Sequence, residues 1–422
     1  MIRLAALVTA PLLAAAGLTL LPQQPSRAQA FGSDLTLLQQ QLPQTHPHVD
    51  VQAFDAAVAK FREKLPTLTE DQADVGFMEL VASLGDRNGH TGIFPLDPGN
   101  RRAFHEYPFL VYEFSDGVYV VREHGDHHRL VGARLTAVGG IPIAQVLARV
   151  EALVPHDNET SGIRNVRSMY LLNKEVLNGL GVAPRFDFTL RNGKHVERTP
   201  TPVSARAYSR EFDGIGPPMW PNGAAHAVDR RAETRVSLLA RRRVVYLAYN
   251  TTTVDTSPVA ARIVRLGSKP KVRRIVVDLR NNRGGDNRTY APLIRALKRL
   301  SRKHKKIVVL AGRATFSAAA NFMGDLEAAT RYVLVGEDSG GAPNLYGDVE
   351  PLDLPESGLR VEVATTWWVK SRLGASDPRV TFHPDVVVRP TAKSWFAGRD
   401  PALKAALTAP LSKAHTIHSL GN

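Results

Sequence analysis

A serine at the start of a predicted helix is the residue of this sequence best placed to do chemistry. Ser317 follows the apolar run 307–310 and precedes the alanine-rich segment 318–329, so we predict that it lies at a strand-to-helix turn. A serine at such a turn can simply cap the helix. It can also act as a nucleophile, because free N–H groups and the positive helix end stabilise an oxyanion formed beside it.

A pair of glycines could bring a second amide to the same place. Gly284 and Gly285 follow the apolar run 275–279, and they allow a tight turn that leaves N–H groups open. We therefore predict that the amides of Gly285 and Ala318 form an oxyanion hole. A hydroxyl beside two amide donors suits acyl transfer. The residues around Ser317 do not form the G-x-S-x-G elbow of α/β-hydrolases.

The elements around these turns predict an α/β fold. Apolar runs of strand length alternate with helical patterns, and two consecutive strand–helix–strand units with short links imply parallel strands and right-handed crossovers. The predicted order is strand 275–279, a helix carrying Leu293, Ile294, Leu297 and Leu300, strand 307–310, helix 318–329 and strand 333–335.

Three segments of this region resemble motifs of the tail-specific (C-terminal processing) serine peptidases. Segment 277–285 resembles their DLRxNxGG strand-turn, segment 313–319 their R-x-T-x-S-A nucleophile segment, and segment 336–341 their GExTxG sequence. The segments stand in the order and approximate spacing of the family. The resemblance implies a ClpP/crotonase-like core and hydrolysis of peptide bonds, with Ser317 as the nucleophile.

A histidine earlier in the chain belongs to the same resemblance. Segment 85–91 is similar to the GDxHT sequence of the histidine-using branch, which includes interphotoreceptor-retinoid-binding-protein-like and tricorn-like proteins. The resemblance implies that His90 is the general base. Family members with a serine–lysine dyad carry the lysine in a TxGKG segment, where this chain has Ala342. A histidine mechanism is therefore expected.

The third member of the predicted site is an acidic residue. By the resemblance, Asp377 falls roughly where histidine-using members place a carboxylate, and Asp348 and Asp86 compete for the role. Asp377 can equally be a plain turn residue before Pro378. A tricorn-like tetrad would place a serine directly before the histidine, at the position of Gly89.

The first 30 residues have the features of a secretory signal peptide. Arg3 supplies the positive end, residues 4–21 are largely apolar, and 28–30 form a small-x-small cleavage site. The apolar stretch is short and interrupted for a membrane anchor. We expect cleavage near Ala30 and export to the cell envelope or beyond. The chain has no cysteine, which excludes disulfides and a thiol nucleophile.

Four segments are predicted after the signal peptide. The strand-turn at 130–143 resembles that of PDZ domains, and the surrounding region either docks a substrate strand or only braces the core. The predicted segments are an N-terminal helical region with the histidine loop (31–105), a degenerate PDZ-like β-rich domain (106–205), a linker (206–235) and the ClpP/crotonase-like core (236–422).

Composition limits the partners. The 422 residues are 43% apolar and 22% charged, with a formal charge of +14 that falls to +12 without the signal segment. This charge favours anionic envelope surfaces, while no motif indicates a nucleic-acid partner. The histidines of 124–128 are interpreted as a polar loop, so neither metal nor organic cofactor is expected. The sequence predicts an exported serine endopeptidase acting on polypeptides, with a lipid- or peptide-binding protein and an esterase as alternatives.

Overall fold

The computed structural model describes residues 27–123, 129–212, 233–239 and 243–408. Most of the predicted signal segment, the histidine-rich segment 124–128 and residues 213–232 of the predicted linker lie outside these residues. Within the described ranges, no helix combines the length and apolar character needed to cross a membrane.

Helices and strands alternate along most of the described chain. The helices are α1 (Arg27–Thr45), α2 (Val51–Lys64), α3 (Glu70–Ala82), α4 (Ile143–Glu151), α5 (Ser161–Leu171), α6 (Lys174–Gly179), α7 (Ala205–Phe212), α8 (Ser257–Gly267), α9 (Ala291–Arg302), α10 (Ala318–Ala329), α11 (Ala392–Phe396) and α12 (Pro401–Thr408). The strands are β1 (His105–Glu106), β2 (Phe109–Phe114), β3 (Gly117–Glu123), β4 (Arg134–Val138), β5 (Ile141–Pro142), β6 (Phe186–Thr189), β7 (His195–Arg198), β8 (Val203–Ser204), β9 (Thr234–Leu239), β10 (Val244–Tyr249), β11 (Arg274–Asp278), β12 (Lys306–Ala311), β13 (Val333–Gly336), β14 (Asn344–Asp353), β15 (Arg360–Val369) and β16 (Val386–Val387).

The C-terminal half is built on one six-stranded sheet in the order β16-β13-β12-β11-β10-β9. Strands β10 to β13 and β16 pair in parallel, and β9 is antiparallel to β10. Every residue of β11 is buried, because α9 and α10 cover one face of the sheet and α12 covers the other. The predicted βαβ units and the α/β fold class are confirmed.

The N-terminal helices bring the histidine loop to the core. Helix α3 begins with a capping box, in which Thr69 and Gln72 exchange hydrogen bonds. Helices α1 to α3 pack their apolar faces together and against the hairpin β14–β15. The loop that follows α3 therefore lies beside the large sheet, although the two are far apart in the sequence.

A second sheet, in the order β2-β3-β4-β6-β7, occupies the predicted PDZ-like region. Strands β2 and β3 form an antiparallel hairpin around Asp116. The first residues of the predicted linker belong to α7, whose Tyr208 and Phe212 are buried beside β2 and α11.

Candidate active site

Ser317 has a strained backbone at the N-terminus of α10. Its φ is 55° and its ψ is −130°, a conformation that costs an L-residue roughly 1–3 kcal/mol. The turn before it is fixed by Thr315, whose hydroxyl accepts from the Gly312 N–H at 3.1 Å and donates to the Leu279 carbonyl at 2.9 Å. The Ser317 side chain makes no capping hydrogen bond. Simple helix capping therefore does not account for this serine.

The glycine turn after β11 packs directly against Ser317. Buried Asn282 fixes the turn, since its side-chain oxygen accepts from the Gly284 N–H at 3.0 Å and its carbonyl accepts from the Phe316 N–H at 3.2 Å. Gly284 has a φ of 108°, and a β-carbon there would lie 2.6 Å from the Ser317 β-carbon. Only glycine fits this position.

The two predicted oxyanion amides are available. Among the described residues, neither the Gly285 N–H nor the Ala318 N–H has a hydrogen-bond acceptor. The Ala318 nitrogen lies 2.9 Å from where a β-carbon on Gly284 would stand, so it is close to the glycine turn. Free N–H groups at this point are what an oxyanion hole requires.

His90 reaches the serine turn by stacking on Phe316. The ring centroids are 4.4 Å apart and the planes are inclined by 23°. Nδ1 of His90 is buried without a hydrogen-bond partner, and in the described part of the chain no hydrogen bond joins His90 to Ser317. Burial lowers the pKa of His90 from 6.5 to about 4, with partial opposition from the main chain of Tyr346. The imidazole is therefore neutral at pH 7 and able to accept a proton.

Asp157 ties the histidine loop to the segment after β13. Its carboxylate is fully buried and accepts from the Gly89 N–H at 2.9 Å and from the Ala342 N–H at 3.1 Å. Burial raises the pKa of Asp157 to about 7, although both amide bonds lower it. The carboxylate therefore positions the neighbour of His90 through the main chain.

Asn158 completes this link between segments. Its side-chain NH₂ donates to the carbonyls of Ser339, Gly340 and Val380 at 3.1–3.2 Å. Asp157 and Asn158 were not predicted from the sequence, because they match no motif. The available signal was a polar Asp–Asn pair that follows Pro155 and His156, shortly after an apolar helix.

Asp377 does not contact His90. Its carboxylate accepts from the Ser371 hydroxyl and from the Arg379 N–H and Nε at 3.0 and 2.9 Å. It meets the histidine loop only through its carbonyl, which accepts from Arg87 at 2.8 Å. The guanidinium of Arg379, two residues away in the chain, satisfies the carboxylate locally, and no contact supports an orienting role.

The competing carboxylates are also apart from the imidazole. Asp348 is exposed, with a φ of 52°. Asp86 is exposed and faces Nε2 of His156 at 3.5 Å. Within the described residues, none of the three predicted acids is hydrogen-bonded to His90.

A cleft of about 300 Å³ opens beside His90 and Phe316. Its wall is mostly apolar, with contributions from the histidine loop, α5 and the β14–β15 hairpin. The lining residues are Gly89, His90, Phe94, Pro155, His156, Asp157, Gly162, Asn165, Val166, Met169, Arg283, Phe316, Val349 and Glu362. The described residues contain no group of three or more side chains that could hold a metal ion.

Two solved structures of mature CPAF have a similar fold. One matches with a TM-score of 0.58 at 16% sequence identity, covering 90% of this chain and 96% of CPAF. The other, a complex with lactacystin, matches with a TM-score of 0.57 at 15% identity, covering 92% of this chain and 97% of CPAF. No protein-family model and no curated protein matches the sequence. The likeness to CPAF extends over nearly the whole chain and supports the predicted fold.

Proposed function

We propose that this chain is an exported serine endopeptidase of the tail-specific type. The observation that carries the proposal is the strained backbone of Ser317. Its hydroxyl makes no capping hydrogen bond and lies beside two amides that have no acceptor among the described residues. Strain of this kind clusters at functional sites. The motif resemblance and the fold shared with CPAF favour peptides as substrates.

In the proposed mechanism, the Ser317 hydroxyl attacks the carbonyl carbon of the scissile bond while His90 takes its proton. The carbonyl electron pair moves onto oxygen, and the N–H groups of Gly285 and Ala318 stabilise the resulting oxyanion. Collapse breaks the C–N bond, and the imidazolium returns the proton to the leaving amine. Water activated by His90 then hydrolyses the acyl-enzyme. Because no hydrogen bond joins Ser317 to His90 within the described residues, the mechanism requires that substrate binding draw the two side chains together.

The test is turnover of an unfolded protein and a mixed peptide library, together with labelling by a serine-directed fluorophosphonate. Ser317→Ala and His90→Gln should both lose cleavage and labelling while keeping their melting temperatures. Ser376→Ala, at an exposed serine, should behave as wild type. Labelling of Ser317 without peptide cleavage would favour an esterase over a peptidase. A folded protein that shows neither would be a binding protein.

Export rests on the N-terminal segment. Phe31, directly after the predicted cleavage site, is buried, and Leu35, Leu38 and Leu42 continue its apolar stripe on α1. Removal of residues 1–30 would therefore leave the core contacts of α1 in place. Fractionation of cells and N-terminal sequencing of the mature chain test this point, with Phe31 as the expected first residue. Salt-dependent binding to anionic vesicles tests the predicted affinity for envelope surfaces.

A further inference from the structure

Arg283 is a cation that lines the candidate cleft and has no counter-charge among the described residues. It directly precedes Gly284, which packs on Ser317, and it lines the cleft together with His90 and Phe316. Its Nε is buried without a hydrogen-bond partner, and within the described residues its guanidinium forms no hydrogen bond or ion pair. Burial lowers the pKa of Arg283 to about 10, so the side chain remains charged at neutral pH.

Several other arginines of this region are paired with carboxylates. Arg280, three residues before Arg283, bonds both Asp278 and Asp400. The other pairs are Arg313 with Glu337, Arg379 with Glu327 and Asp377, and Arg167 with Glu113 and Glu151. The lack of a partner therefore sets Arg283 apart from these residues.

The acidic groups of the cleft do not supply the missing charge. The Asp157 carboxylate is occupied by the amides of Gly89 and Ala342. The pKa of Glu362 is raised to about 7 by burial and by the neighbouring Asp97 carboxyl group, and Arg283 is not among the causes of that shift. Arg283 is half-buried, and a guanidinium that is partly removed from water without a carboxylate partner is suited to bind a ligand that supplies an anion.

We propose that Arg283 forms a subsite for a substrate carboxylate and selects peptides with an acidic side chain beside the scissile bond. A guanidinium binds a carboxylate through two parallel N–H bonds. The apolar side chains of Phe94, Val166 and Met169 line the same cleft and suit the methylene stem of a glutamate. This inference rests on the proposed function and adds a substrate class to it.

The kinetic test compares matched peptides that carry Glu or Gln next to the cleaved bond. Wild type should prefer Glu by about 10- to 100-fold in kcat/KM, the range expected for hydrogen bonds to charged groups. Arg283→Gln should abolish this preference and Arg283→Lys should retain part of it. Arg288→Gln, at an exposed arginine, should match wild type. An unchanged Glu/Gln ratio in Arg283→Gln overturns the proposal.

A second pair of peptides identifies the source of the carboxylate. Peptides with neutral side chains are compared as C-terminal acids and C-terminal amides. Suppose that peptides with a C-terminal acid are preferred in an Arg283-dependent way and Glu is not preferred. The subsite would then bind the C-terminal carboxylate of a peptide instead of an acidic side chain.

Binding to the Ser317→Ala variant separates this inference from catalysis. Fluorescence polarisation with labelled Glu and Gln peptides measures recognition without turnover. Tighter binding of the Glu peptide that disappears on Arg283→Gln supports the subsite even if wild type cleaves nothing. Equal binding of the two peptides, or binding of neither, refutes it.

Discussion

The Asp157 carboxylate gives the sharpest test of how this site is assembled. In Asp157→Asn one side-chain oxygen still accepts an amide, but the new NH₂ group faces the other N–H. The variant therefore releases either Gly89, next to His90, or Ala342. A lost bond to a charged acceptor costs roughly 1.5–3 kcal/mol of positioning energy. We expect kcat at pH 8 to fall by about tenfold or more.

The same substitution, Asp157→Asn, should lower kcat but raise the free energy of unfolding relative to wild type as pH rises. The pKa of Asp157 is raised from 3.8 to about 7 by burial, so between these values the folded state holds a proton that the unfolded state has lost. Wild type therefore loses stability as pH rises through this window, by roughly 4 kcal/mol from this group. Asparagine does not titrate, so Asp157→Asn should gain that amount relative to wild type between pH 4 and pH 8.

Urea unfolding at pH 4, 6 and 8, with kcat and KM measured at pH 6 and 8, checks both effects. Other groups that titrate are common to the two proteins and cancel in the difference. Asp187→Asn, on β6 outside the site, is the matched control. A variant whose stability difference from wild type is the same at pH 4 and pH 8, or whose kcat stays within threefold at pH 8, would falsify this account of the carboxylate.

Two further predictions concern the histidine and the segment after β13. The pKa of His90 is lowered to about 4 by burial, and the neutral imidazole is the competent base. The acid limb of kcat/KM should therefore lie near pH 4, and a limb between pH 6 and 7 in a pH–rate profile contradicts a buried base. A β-carbon on Gly340 would lie 2.0 Å from the Arg313 carbonyl oxygen. Gly340→Ala should thus lose roughly 2–4 kcal/mol of unfolding free energy in urea, whereas Gly32→Ala, with open space around it, should stay within about 1 kcal/mol of wild type.

Local pattern and chemistry were enough to predict much of the fold. The strands around the glycine turn and α10 follow from apolar runs and turn residues, and the capping box at Thr69 follows from two polar residues at the right spacing. These features depend on neighbours within a few positions. Helix α7 was not predicted, because residues 206–212 were assigned to a linker and its aromatic residues find their partners only in the folded chain.

The Asp157 link was invisible for a related reason. Its two amide partners are 68 and 185 residues away in the chain, and main-chain N–H groups carry no sequence signature. Asp377 is the converse case, because its position in the sequence suggested an orienting role beside His90 that none of its hydrogen bonds supports. Arg379 lies two residues away and bonds the carboxylate, which makes no hydrogen bond to His90 within the described residues.

The arrangement around His90 also determines what the proposed mechanism needs from the substrate. An imidazole with a pKa of about 4 is a weaker base than one at 6.5, and taking the Ser317 proton costs roughly 3 kcal/mol more. Within the described residues, no carboxylate is hydrogen-bonded to the ring to offset that cost. The oxyanion formed at the amides of Gly285 and Ala318 is itself a negative charge near the imidazole, and an opposite charge raises the pKa of a histidine. The oxyanion of the transition state therefore supplies the negative charge that the resting site lacks beside His90. Proton transfer from Ser317 then depends on correct placement of the scissile carbonyl.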